Sequence, residues 1–272
     1  MRWKLKLVAG SSAMALLVML GLWRAATHGA DLHTGSLPGA QRTYHTVFPL
    51  TENPISEGGT WINGRTAALD WADVRTTPGC AYGIETGGTR PAPQKYDDST
   101  ALLTGAWGPA QMAQATVRSQ NPQTDKIYEE VELRLRSTLA AHQATGYEIC
   151  FRCSKSARAY TTIVRWNGPL GNFTYLKTAN GSQYGVANGD VVKATIEGNV
   201  IKAFINGVQV LRATDDTYKS GSPGMGFYLE GAVGLNQDYG FSTFAASDDL
   251  SGGDGHGWEC GSLLPLWFRG RP

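Results

Sequence analysis

Between residues 128 and 213 apolar side chains recur at every second position, and Asn-Gly pairs interrupt the recurrence. Alternation of this period puts apolar groups on one face of an extended strand and polar groups on the other, whereas a helix needs a period near 3.6. The pattern predicts strands over Tyr128–Ser137, Gly146–Arg152, Ala159–Trp166, Asn172–Thr178, Val191–Glu197, Val200–Ile205 and Val208–Ala213. In the first, Val131, Leu133 and Leu135 share one face. Tyr128, Glu130, Glu132, Arg134 and Arg136 share the other, as expected where one sheet face packs inside and the other meets solvent or ligand. Asn63-Gly64, Asn167-Gly168, Asn180-Gly181, Asn188-Gly189 and Asn206-Gly207 suit type I′ hairpins, because both residues tolerate positive φ. No long apolar period of 3.6 follows residue 30. The expected fold is therefore all-β, an antiparallel β-sandwich or jelly roll over residues 31–247. The Gly-, Pro- and Thr-rich stretch Leu32–Tyr96 is expected to add first strands and long loops to it, since a separate domain of that size would have a meagre core.

Composition supports this picture. The chain has 34 glycines in 272 residues, and charged residues make up 17%, which excludes a highly charged disordered chain. Twenty-four basic side chains against 23 acidic ones give +1, so no bulk field draws the protein to nucleic acid. Residues 1–30 carry Arg2, Lys4, Lys6 and Arg24, no acid, and an apolar run from Leu7 to Trp23. This is the composition of an N-terminal export signal, cleaved as a signal peptide or retained as a membrane-anchor helix. The expected location is secreted, periplasmic or cell-surface, with membrane contact only through that segment, and residues 31–272 then carry a net −3.

An oxidising compartment favours structural disulfides among Cys80, Cys150, Cys153 and Cys260, with three pairings open, the alternatives being a redox role for the Cys150-Phe151-Arg152-Cys153 spacing and free or intermolecular thiols. Asn172-Phe173-Thr174 and Asn180-Gly181-Ser182 are glycosylation sequons. Residues 248–272 form a Gly-rich tail that ends in the short apolar run Leu263–Phe268, expected to fold back with Cys260 as its fastener or to serve self-assembly.

A more specific order of features runs from Gly189-Asp190, which opens a strand, through the turn Gly198-Asn199 to a strand ending in Asn206-Gly207. Asp215 and Gly221-Ser222-Pro223-Gly224-Met225-Gly226 follow. With looser matches at Asn53–Ser56 before Trp61, at Gly146-Tyr147 and at Tyr175–Lys177, this order resembles the concanavalin A-like lectin/glucanase superfamily, in particular its laminin-G-like bacterial extracellular branch. The resemblance covers roughly residues 45–247 and consists of turn glycines and strand alternation, so it speaks to fold first.

The resemblance implies three chemistries: glycan binding, retaining glycoside hydrolysis and polysaccharide elimination. The glucanases carry Glu-x-Asp-x-Glu on one strand, three acids on one face. Here the nearest run, Glu129-Glu130-Val131-Glu132-Leu133, sets Glu130 and Glu132 on one face, with Tyr128 and Arg134 where the outer acids would stand. If the chain is an enzyme of this kind, Glu130 and Glu132 are the catalytic pair. Arg134 beside them is expected to lower a carboxyl pKa. The alternatives for the two glutamates are glycan hydrogen-bonding and a solvated strand face. The lyases use Tyr or His with Arg. His33, His45, His142 and His256 stand in separate loop-like contexts, and Arg134, Arg136, Arg152 and Arg165 either meet a uronate or pair with neighbouring glutamates. The chain lacks a Gly-x-Ser-x-Gly elbow, a phosphate loop and a His-Glu-x-x-His helix, which sets aside serine hydrolases, nucleotidases and zincins.

A sugar offers an apolar face to aromatic rings and hydroxyls to polar side chains. Tyr128, Tyr160, Trp166, Tyr175 and Tyr184 are candidates for stacking, with Trp166-Asn167-Gly168 beside Asn172 as a loop-rim site. The ligand-binding set is Tyr128, Glu130, Glu132, Arg134, Trp166 and Asn167. Calcium is a candidate cofactor through Asn236, Gln237, Asp238, Asp248 and Asp249, which lack EF-hand spacing. The reading is an exported lectin-like domain that binds extracellular or cell-surface glycan. A glycoside hydrolase or polysaccharide lyase on the same fold, or a structural surface protein, is the alternative.

Overall fold

A computed structural model of the chain describes residues 41–68, 70–85, 91–120, 128–230 and 236–250. The signal segment, Cys260, His33, His256 and the Leu263–Phe268 run lie outside these residues. Strands are numbered in chain order. Edge to edge, one antiparallel sheet runs β13 (Val208–Thr214), β12 (Val200–Ile205), β11 (Val191–Glu197), β6 (Gln111–Ser119), β15 (Tyr239–Ser247), β4 (Cys80–Gly83) and β3 (Val74–Thr77), and β1 (Thr43–Thr46) also pairs with β15. The other runs β10 (Phe173–Asn180), β9 (Tyr160–Gly168), β8 (Gln143–Arg152), β7 (Tyr128–Ala140), β14 (Ser222–Glu230), β5 (Ser99–Leu103) and β2 (Trp61–Asn63). The stretch Leu32–Tyr96 supplies β1 to β4, which enter both sheets, as its composition suggested.

The core lies between the sheets. Val131, Leu133 and Leu135 of β7, Ile149 and Phe151 of β8 and Met225 and Phe227 of β14 meet Ala113, Ala115 and Val117 of β6, Ile196 of β11 and Phe241 and Phe244 of β15, all fully or almost fully buried. Alternation alone dictates this: the inward positions are apolar on strand after strand. Arg136 departs from the pattern. The β7 register shifts between Leu135 and Thr138, Arg136 takes φ 46°, and its guanidinium turns to the carbonyls of Pro109 and Tyr218 rather than continuing the row of Glu130, Glu132 and Arg134.

Of the Asn-Gly pairs, Asn206-Gly207 closes a two-residue hairpin, between β12 and β13, with φ 51° and 79°. Asn63 is instead a buried pin whose side chain bridges the Ile55 carbonyl and the Val74 amide. Asn188 caps the amide of Ser119 at the end of β6.

The expected disulfides are corrected among the described cysteines: Cys80, Cys150 and Cys153 are buried free thiols. Cys150 lies on the outer face of β8, while Cys153, past the strand end, belongs to the inter-sheet core, so the two thiols sit on opposite sides of the layer.

Candidate functional site

The outer face of the seven-stranded sheet is where polar alternation accumulates. Across neighbouring strands Tyr228, Glu130 and Arg152 stand side by side. So do Gly226, Glu132, Cys150, Thr162 and Thr178 in the next row, and Gly224, Arg134, Glu148, Val164 and Tyr175 in the row after. The register puts three acids and two guanidiniums on one patch, and Asp98 joins as a fourth acid from the approach to β5. A cavity of about 350 Å³ opens over this patch. Its walls are aromatic. Trp166 packs edge-on to Trp71 at 5.3 Å, and Phe173 packs against both Trp166 and Tyr175. A bulge between Tyr175 and Lys177 changes the phase of β10, so that Phe173 and Tyr175 before it and Thr178 and Asn180 after it all face the cavity.

On the floor, Arg134 donates to Glu132 at 2.8 Å and pairs with Glu148 at 2.6 Å and Asp98 at 3.8 Å. Glu148 also accepts from the Trp166 indole at 2.7 Å and from the Cys150 thiol at 3.1 Å, and Tyr160 donates to Glu130. Gly226 makes room for this arrangement. A Cβ there would collide with Glu132 Oε2 and approach Arg134 Nε to 3.0 Å. The Arg152 guanidinium stacks 4.1 Å over Tyr128.

Electrostatically, burial dominates. It pushes the Glu130 carboxyl up to about 7, with Glu148 adding to the rise against the Tyr160 hydrogen bond. Glu132 and Asp98 are pushed well above the usual carboxylate range by burial and then by Glu148. Arg134 does act downward, as its position in the sequence implied, but desolvation outweighs it. Burial likewise holds the Cys150 thiol protonated, so it is no nucleophile.

The sequence-derived candidates divide. Glu130, Glu132 and Trp166 line the cavity, Arg134 braces its floor, and Tyr128 lies beside it beneath Arg152. Asn167 lies outside the cavity lining: it faces away from Trp166 and bonds Arg165, Asn172 and Thr174. Tyr160 and Tyr175 line the cavity, whereas Tyr184 does not. Asp98, Glu148, Cys150, Tyr96 and Tyr228 were missed. Glu148-x-Cys150-x-Arg152 alternates with Tyr147, Ile149 and Phe151 just as the acids of β7 alternate with its leucines, so that signal was present. Asp98 follows another aspartate in a loop, where no period reveals a direction.

Asp98, Glu132 and Glu148 each bring an oxygen within 4.8 Å of the others, as do the ligand atoms of Glu130, Glu132 and Cys150. In the first trio Arg134 already supplies the cation. In the second the thiol is protonated and donates to Glu148. The calcium candidates fall into two separate groups. Asn236, Gln237 and Asp238 precede β15 and Asp248 and Asp249 follow it, so the strand's full length, roughly 26 Å, separates them. Asp248 caps the amides of Arg42 and Gly108 instead.

The strand arginines invoked for a uronate are committed elsewhere: Arg134 to three acids, Arg165 to Asp215 at 2.6 Å and Arg136 to two carbonyls. His45 and His142 lie outside the cavity, and His142 pairs with Asp70.

No protein-family model matches the chain, and no curated protein matches its sequence. Solved structures with a similar strand layout include a carbohydrate-binding module of family 66 from Bacillus subtilis, at 14% identity and TM-score 0.45, covering 65% of this chain and 96% of that one. The potassium-bound carbohydrate recognition domain of Emp46p aligns at 12% identity and TM-score 0.49 over 75% of this chain and 96% of that one. A β-porphyranase from Bacteroides plebeius aligns at 9% identity and TM-score 0.41 over 78% and 93%.

Proposed function

We propose that the chain is a lectin-like domain that binds glycan in the cleft on the outer face of its seven-stranded sheet. The observation that carries this reading is the lining itself. Tyr175, 66% exposed at the rim, stands over a cavity walled by Trp166, Phe173 and Tyr160 and floored by hydrogen-bonding acids. An exposed aromatic ring above a polar floor suits a saccharide, which stacks its apolar face and pairs its hydroxyls. The N-terminal composition supports export, so the expected ligand is extracellular or cell-surface. No helix among the described residues is long and apolar enough to cross a membrane.

Glycoside hydrolysis is the second reading. It is favoured by Glu130 and Glu132, whose oxygens approach within 4.8 Å, and by a Glu130 carboxyl raised to about 7. Accessibility favours the binding reading over it. Glu132 is 1% exposed and engaged by Arg134, which leaves Glu130, at 9%, as the more accessible of this pair. A retaining mechanism needs two carboxyls that both reach the sugar.

A glycan array with product analysis on the purified full chain tests both readings. Retention without new reducing ends supports binding. Products that vanish in Glu130→Gln establish hydrolysis, and neither retention nor products refutes both.

A further inference from the structure

Resting on the glycan reading, we propose that the sugar this cleft selects carries a free amine, a glucosamine-type unit whose ammonium sits against Asp98 and Glu130. Three observations converge. First, the cleft floor is short of cations. Asp98, Glu130, Glu132 and Glu148 line the cleft, and among the described residues the guanidiniums set against them are Arg134 and Arg152. Arg134 is already shared among three acids, while Arg152 donates to the Arg158 carbonyl and stacks on tyrosine.

Second, Asp98 holds an orphaned acceptor. Its side chain is 6% exposed and its Oδ2 looks to Arg134 at 3.8 Å, yet its Oδ1 has no hydrogen-bond partner. A buried acceptor without a donor is costly, and an ammonium brings three donors together with a positive charge. Third, the space beside these acids is walled by Tyr160 and Tyr228, rings suited to a cation. Acetylating the amine removes the charge and all but one donor. A uronate would set a carboxylate against a site already lined by four acids.

The test is a calorimetric titration of the full chain with four probes: a glucosamine tetramer, the matching N-acetylglucosamine tetramer, cellotetraose and a glucuronate-containing tetramer. The expected result is at least about tenfold tighter binding of the glucosamine tetramer than of its acetylated partner, with the uronate weakest. Asp98→Asn and Glu130→Gln are each expected to reduce that preference severalfold while neutral-sugar binding persists. Equal affinity for the amine and its acetylated partner, or tighter uronate binding, overturns this inference and leaves the glycan reading standing. Binding of none of the four, with none retained on the broader array, sinks both. A preference that survives both substitutions in folded protein also overturns the assignment to these acids. Should either variant fail to fold, the four-probe series on the unaltered chain decides alone.

Discussion

Strand β7 buries both of its faces, and the two faces are held by different physics. Inward, Val131, Leu133 and Leu135 are fully buried in an apolar layer whose cohesion is insensitive to pH and nearly so to exact partner. Outward, Glu132 and Arg134 are as deeply buried, at 1% and 2% exposure, but each depends on a particular counter-charge. A buried ion network adds little net stability while its partners are complete and costs much when one is removed. An inward face of this kind specifies the sandwich. An outward face of this kind, flanked by a smaller apolar cluster of Trp71, Val164 and Trp166, is suited to a binding site.

The sharpest way to break the comparison is Arg134→Met. It leaves Asp98, Glu132 and Glu148 without their shared cation, and a loss of about 3–5 kcal/mol is expected in urea denaturation at pH 7. The loss should shrink at pH 5, where the orphaned acids can take up protons. Leu133→Ala on the inward face is expected to cost about 2–4 kcal/mol, the same at both pH values. A pH-independent penalty for Arg134→Met would show that packing rather than charge holds the outer face.

Next in size is the pH dependence of the unaltered protein. Glu130 is held at about 7 in the fold, above the ordinary 4.5, chiefly by burial. The groups facing it are Tyr160 on β9, Arg152 and Glu148 on β8 and Glu230 on β14. A second buried acid, Glu85, bonded by Ser99 and Tyr239 away from the cleft, is also raised to about 7 by burial. An acid raised in the folded state binds its proton more tightly there. The stability it contributes is therefore full below about pH 4.5 and lost as pH rises through 7. Unfolding free energy should fall between pH 5 and 7, and Glu130→Gln should flatten part of that slope. Gly226→Ala is expected to cost about 1–3 kcal/mol by displacing Glu132 from Arg134, whereas at Gly189 no neighbour blocks a Cβ and the constraint is the backbone's φ of 85°. Smallest is Arg165→Ala. Its ion pair with Asp215 is partly solvated, and its loss should cost about 0.5–1 kcal/mol and no ligand binding.

The inward face was legible in the sequence because a two-residue period needs no partner to be read. The strands Val191–Glu197 and Val200–Ile205 stand where alternation put them. The outward face was legible only in part. Glu130 and Glu132 announced themselves on one strand, but the network depends on register between strands, which sets Glu148 opposite Arg134. It also depends on bulges, which withdrew Arg136 and turned Thr178 and Asn180 toward the cleft. Asn167 lies outside the cavity lining because its adjacency to Trp166 in sequence means the opposite face in a strand.

The most direct test of the central claim, that the outer cleft binds glycan, is array retention by Tyr175→Ala beside the unaltered chain. Tyr175 is 66% exposed, so its removal should leave the unfolding midpoint unchanged. The account predicts retention by the unaltered chain, weakened about tenfold or more by Tyr175→Ala with no product formed. Undiminished retention by a folded Tyr175→Ala protein would contradict it and move the sugar to another surface.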